Sequence, residues 1–138
     1  MSGPLRLRVE RDRRVSVTVI PNDPRESMLT TERPWGTYEQ FCLNEQVSVK
    51  IITVNPGHRL SLQTHQQRAE FWQVLDGTID VTVGERTWTA KRDERVWVPV
   101  GELHRMANST DAPVRVLEVC WGHFDDDDIV RVEDDYHR

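Results

Sequence analysis

The chain has 138 residues, a net charge of −5, 37% apolar and 30% charged residues. That length suits one domain with a single modest core. The acidic balance gives no basis for expecting nucleic acid or an anionic membrane as partner, and no apolar run approaches the length of a membrane-spanning helix. The N-terminus is basic but lacks the apolar stretch of a secretory signal, so a cytoplasmic location is expected. Cys42 and Cys120 are too few for a disulfide framework and read as free buried thiols.

Taken in order, residues 4–20 hold two alternating runs, Leu5/Leu7/Val9 interleaved with Arg6 and Arg8, and Val15/Val17/Val19 interleaved with Ser16 and Thr18. Period two predicts strands. An arm of edge strands over residues 1–32 is expected, and an edge of this kind needs covering, so a homodimer is expected too. Residues 21–33 read as loop, broken by Pro21 and Pro24. A turn at Pro34–Gly36 leads into a strand. Val47–Val54 is β-branched throughout much of its length and is the clearest strand. Further strands are predicted over 60–65, 69–75, 78–83, 86–90, 95–100 and 114–121. Turns at Asn55-Pro56-Gly57, Asp76-Gly77 and Gly84-Glu85 separate several of them. The acidic tail, Asp125 to Arg138, has room for a short turn or helix near 127–130. Many short strands with Gly and Pro turns predict an all-β sandwich or barrel.

Chemistry concentrates between Gly57 and Gly77. Gln63 and His65 are two apart, so on a strand they face one spot, and Glu70 can return to it on the neighbouring strand. His104 is the fourth candidate. Amide oxygen, imidazole and carboxylate donors suit a divalent metal: zinc first, with manganese, iron, cobalt or nickel also compatible.

The order Gly57, Gln63, His65, Glu70, Gly77, followed later by Pro99, Gly101, His104 and Asn108, resembles the two cupin motifs. Gln63 replaces the usual first histidine, and Asp93 stands where the second motif begins with glycine. Across residues 33–138, Arg33-Pro34-Trp35-Gly36-Thr37-Tyr38-Glu39, Leu60-Ser61-Leu62-Gln63, Arg68-Ala69-Glu70-Phe71-Trp72 and Asp128-Ile129-Val130-Arg131-Val132-Glu133-Asp134 resemble type II mannose-6-phosphate isomerase. In that family the module is often the C-terminal domain of a bifunctional enzyme with mannose-1-phosphate guanylyltransferase. The resemblance implies a double-stranded β-helix (jelly-roll) cupin domain over 33–138, standing alone. It also implies a metal on Gln63, His65, Glu70 and His104, and interconversion of mannose 6-phosphate and fructose 6-phosphate through an enediol.

Other candidates follow from facing and charge. Glu118 shares a strand face with Val116 and Cys120, and a carboxylate inside an apolar barrel is a candidate general base. Lys50, Arg59 and Arg131 are candidates for the substrate phosphate, and Arg68 is a weaker one. Trp72 shares a face with Glu70 and is the tryptophan expected to line the pocket. The family's run of histidines is replaced by Gln66, Gln67 and Phe71. Imidazole is a natural proton carrier near neutrality, so these changes favour an alternative: a metal- and sugar-binding module without turnover. A third reading is another cupin metalloenzyme, such as an Fe(II) dioxygenase.

Overall fold

The computed structural model describes residues 19–137. Eleven strands are seen among them: β1 Leu29–Arg33, β2 Gly36–Gln40, β3 Val47–Val54, β4 Leu62–Thr64, β5 Arg68–Val74, β6 Thr78–Val83, β7 Arg86–Lys91, β8 Arg95–Val98, β9 His104–Ala107, β10 Val114–Gly122 and β11 Val130–Glu133. The helical content among the described residues is two 3₁₀ turns, Arg25–Ser27 and Asp126–Asp128. Two antiparallel sheets make the barrel, one in the order β3-β10-β5-β8 and the other β11-β4-β9-β6-β7, while β1 and β2 form a separate hairpin. This is the jelly-roll architecture expected of a cupin.

Alternation explains why the sheets pack. Along β10, Val114 and Val116 point inward with Glu118 and Cys120, while Val119 and Trp121 point outward, and all six are buried. The inner apolar residues join Val54, Trp72, Val74, Ile79, Val81, Val96, Val98 and Met106 in the core between the sheets. The outer ones join Met28 and Phe71, with Phe41, Cys42, Val47 and Trp97 packed alongside. Both faces of the four-stranded sheet are therefore covered, one by the second sheet and one by the segment leading into β3.

The expectations for 5–9 and 15–18 lie outside the described residues. Residues 21–33 are not loop throughout: Leu29–Arg33 forms β1 and pairs with β2, from Leu29 opposite Gln40 to Arg33 opposite Gly36. Met28, just before it, is buried against the barrel. The predicted boundary at 32/33 falls at the tip of this hairpin. Two further short strands went unpredicted: β9, which pairs along its length with β6 and at Gln63–His104 with β4, and β11, which pairs with β4. Asp93, in the place of the motif glycine, takes the left-handed conformation with φ 66°. Aspartate tolerates that region better than most residues, so the turn survives without glycine.

Candidate metal centre

Three strands bring the candidate ligands together. Gln63 on β4 lies directly opposite His104 on β9. Glu70 lies on β5, in the other sheet. His65 follows β4 in the short loop to β5, and its carbonyl accepts from the Gly101 N–H at 2.9 Å. A strap, residues 122–131, crosses over that loop and clamps it. The Asp128 carboxylate accepts from the backbone N–H groups of Gln66 and Gln67, at 3.1 and 2.9 Å, and His123 N–H donates to the Gln67 carbonyl at 3.0 Å. The approach requires glycine: a Cβ on Gly122, at φ +114°, would lie 2.2 Å from the Gln67 oxygen.

Donor atoms of His65, Glu70 and His104 all lie within 4.8 Å of one another, and all three residues are buried. His65 Nδ1 is 3.0 Å from the Arg68 carbonyl and His104 Nδ1 is 2.9 Å from the Glu102 carbonyl. A carbonyl accepts only, so these bonds assign the proton to Nδ1 in both rings. Nε2 of each ring then faces Glu70: His65 Nε2 is within hydrogen-bond distance of Oε1 at 2.9 Å, and His104 Nε2 is 3.7 Å from Oε2. His104 Nε2 is buried with no hydrogen-bond partner. A buried, unpartnered imidazole nitrogen facing a carboxylate is costly as it stands. A cation between them satisfies both, so the residues fit a divalent ion.

The ionisation states agree. Burial raises the Glu70 carboxyl, but the His65 hydrogen bond and the neighbouring His104 and Arg68 outweigh it and hold it below the usual carboxylate range. Burial pushes the His104 imidazole below its usual value despite the Glu70 charge. An anionic carboxylate and a neutral imidazole are the forms that bind metal.

A cavity of about 310 Å³ opens beside this cluster, lined by Gln63 and Glu70 together with Lys50, Ser61, Arg68, Glu118, Phe124, Ile129 and Arg131, among others. A cavity of about 380 Å³ elsewhere, between the N-terminal segment and the β2–β3 connection, holds none of the ligands. Arg131 lies opposite Gln63 on β11, and its Nε is buried without a partner. Phe124 is held between two cations, with the Lys50 ammonium 3.4 Å and the Arg68 guanidinium carbon 4.2 Å from its ring centre. Glu118 lies opposite Lys50 on one side and Trp72 on the other. Its Oε1 accepts from the Cys120 thiol at 3.0 Å. Burial, reinforced by the Glu70 charge, pushes its pKa up to about 7, against the opposing effects of Cys120, Lys50 and Arg68.

Of the predicted site residues, Gln63, Glu70, Lys50, Glu118 and Arg131 line one cavity, with His65 and His104 buried beside it. Arg59 is elsewhere: it is bound on the surface to Asp135 at 2.7 Å and Glu133 at 2.9 Å, and it lines a different cavity with His58 and Tyr136. Arg68 takes its place. It is buried, with Nε 3.5 Å from Glu70 Oε1, and its position two residues before Glu70 on one strand was the available signal. Phe124 had no signal in the sequence, since the strap that carries it is placed by long-range contacts. Gln66 and Gln67 are exposed, and Phe71 is buried in the outer apolar cluster. None of these three lines the cavity.

A jelly-roll barrel with His, Glu and His donors converging at one end of its two sheets defines the chain as a cupin with a possible metal site. Solved cupins share the fold: a sugar phosphate isomerase of the cupin superfamily from Silicibacter pomeroyi superposes with a TM-score of 0.54 at 21% identity, covering 67% of this chain and 70% of that one. The Bacillus subtilis oxalate decarboxylase, described with Mn(II) centres, gives 0.54 at 24% identity over 62% of this chain and 24% of that one. Residues 22–134 match the family described as mannose-6-phosphate isomerase C-terminal, and the chain belongs to it. Among curated relatives, the alginate biosynthesis protein AlgA of Pseudomonas aeruginosa is 42% identical over 107 residues, 77% of this chain and 22% of AlgA. The xanthan biosynthesis protein XanB of Xanthomonas campestris pv. campestris is 43% identical over 77% of this chain and 23% of XanB. The mannose-1-phosphate guanylyltransferase ManC of Salmonella typhimurium is 40% identical over 77% of this chain and 22% of ManC. The chain thus spans under a quarter of the length of these relatives. No described helix is long and apolar enough to cross a membrane.

Proposed function

We propose that the chain is a metal-dependent aldose–ketose isomerase acting on mannose 6-phosphate and fructose 6-phosphate. The observation that carries this reading is the cavity in which Gln63 and Glu70, with His65 and His104 buried beside them, meet one buried carboxyl and three cationic side chains. A divalent ion held by the quartet, zinc or another first-row metal, would supply positive charge to the sugar's carbonyl and hydroxyl oxygens.

The chain's own residues account for the rest. Lys50, Arg68 and Arg131 present positive charge to one cavity, the requirement for holding a phosphate. The unpartnered Arg131 Nε is an open donor. Glu118, in its ionised form, takes the proton from C2 of the aldose, leaving an enediolate with its charge on the C1 oxygen. The C2 hydroxyl passes its proton to that oxygen, and Glu118 returns the first proton to C1, giving the ketose. A carboxyl near pKa 7 serves as base and acid in turn at neutral pH. The strap closes the cavity's outer side with Phe124 and Ile129, which restricts water around the enediol.

The non-catalytic alternative drew on the replaced histidines. Gln66, Gln67 and Phe71 stand off the cavity, so their identity leaves its proton-carrying group, Glu118, in place. Interconversion of the two hexose phosphates, followed with protein stripped of metal and then reloaded, tests the proposal. Turnover that disappears with the metal and returns with it is the expected result. Full metal occupancy without turnover on either sugar phosphate assigns the chain to the binding-module reading. Oxygen uptake with an organic acid would place it with the dioxygenases.

A further inference from the structure

Trp72 follows Glu70 by two residues on β5 and is 2% exposed. Its indole N–H donates to Glu70 Oε2 at 3.0 Å. Its ring meets His104 edge-on, with centroids 5.8 Å apart. One side chain therefore touches two of the candidate ligands, one from each sheet. The two Glu70 oxygens differ as a result. Oε1 faces His65 Nε2 at 2.9 Å and Arg68 Nε at 3.5 Å, whereas Oε2 is bonded by the indole. A carboxylate free to swivel offers an ion one oxygen or two, and a donor fixed on one of them restrains that choice. Indole N–H donates only, so it cannot compete with Glu70 for the ion.

We infer that Trp72 is a positioning residue of the metal centre: its N–H sets the rotation of the Glu70 carboxylate and its ring braces the His104 imidazole. This rests on the reading of Gln63, His65, Glu70 and His104 as metal ligands. A buried tryptophan also fills core volume, and the atom that separates the two roles is Nε1. Trp72→Phe keeps a ring and deletes the N–H. Val96→Ala, at the cross-strand neighbour of Trp72, alters the core without touching a ligand and serves as control.

The test is a titration of metal-stripped wild type, Trp72→Phe and Val96→Ala with Co²⁺ against a chromophoric chelator, recording the visible bands of the bound ion. The wild type takes one equivalent. Trp72→Phe binds about 10–100-fold more weakly, the range for loss of a group that orients a ligand, and its cobalt bands shift. Val96→Ala loses stability but keeps affinity and bands. If Trp72→Phe matches the wild type in both, Trp72 is core filling and the inference is overturned while the metal centre stands. A wild type that takes no cobalt overturns the metal reading and this one with it. Should Trp72→Phe fail to fold, the wild type answers through the Trp72 indole ¹H–¹⁵N signal. That signal moves on adding one equivalent of Zn²⁺ if the role holds, and stays put if it does not.

Discussion

The two faces of β5 are built from alternate residues of one seven-residue strand, yet they do opposite work. Phe71 faces outward into an apolar cluster with Val119, Trp121 and Met28, and Ala69, opposite Trp121, shares its face. Arg68, Glu70 and Trp72 face inward, into ion pairs, a carboxylate–indole hydrogen bond and a cavity. Both faces are buried, so solvent exposure does not distinguish them. The outer face gains by excluding water from apolar surface. The inner face brings a carboxylate out of water beside the imidazoles of His65 and His104, a cost that the fold bears and that a bound cation would relieve. The chemistry of β5 is thus confined to one parity, which it shares with Trp72 and Val74 of the inner core.

Substitutions on the two faces should therefore part company. The largest effect on stability is expected outside: Phe71→Ala, at a fully buried ring, should cost about 3–5 kcal/mol in urea unfolding while the folded protein keeps its metal affinity. Inside, Glu118→Gln should lower kcat by about 10²–10⁴-fold with little loss of metal, measured by turnover and metal analysis on the same sample. A parallel fall in metal content would instead make Glu118 part of the ligand set.

The inner face also predicts a pH dependence. The Glu118 pKa is raised by burial, to about 7 from 4.5. The folded state then holds a proton that the unfolded chain has released, so stability is full below about pH 4.5 and declines as pH rises toward 7. For the metal-free protein the decline attributable to this group is on the order of 3 kcal/mol. Thermal unfolding of wild type against Glu118→Gln should show that slope in the former and lack it in the latter. The smallest effect belongs to the strap. Asp128→Asn weakens the clamp on the Gln66–Gln67 backbone and should reduce metal affinity by about 10-fold or less in the same chelator competition.

Much of this parity was readable in advance. Val47–Val54 and Thr78–Val83 announce themselves by β-branching and alternation, and both strands have those bounds. Glu118 stood out as a charge in phase with Val116 and Cys120, and it is buried on the inner face. Arg68 obeys the same rule with Glu70, but the strand expected from the sequence begins at residue 69, one residue short of it. What alternation cannot convey is which distant segment closes over a site. β9 and β11 owe their strands to partners elsewhere in the chain. Phe124, lodged between Lys50 and Arg68, depends on where the strap lands. Arg59 and Arg131 look alike in the sequence. The difference is that Arg131 pairs opposite Gln63 on a sheet edge, while Arg59 meets Asp135 and Glu133 on the surface.

The central claim is that His104, far along the chain from Gln63, His65 and Glu70, completes one metal centre with them. Its most direct test is the metal content of wild type and His104→Ala after equal loading with Zn²⁺ and dialysis, with folding checked by circular dichroism. One ion per chain in the wild type and a folded variant stripped of it is the predicted result. A wild type that retains no ion, or a His104→Ala protein that retains it in full, would contradict the account.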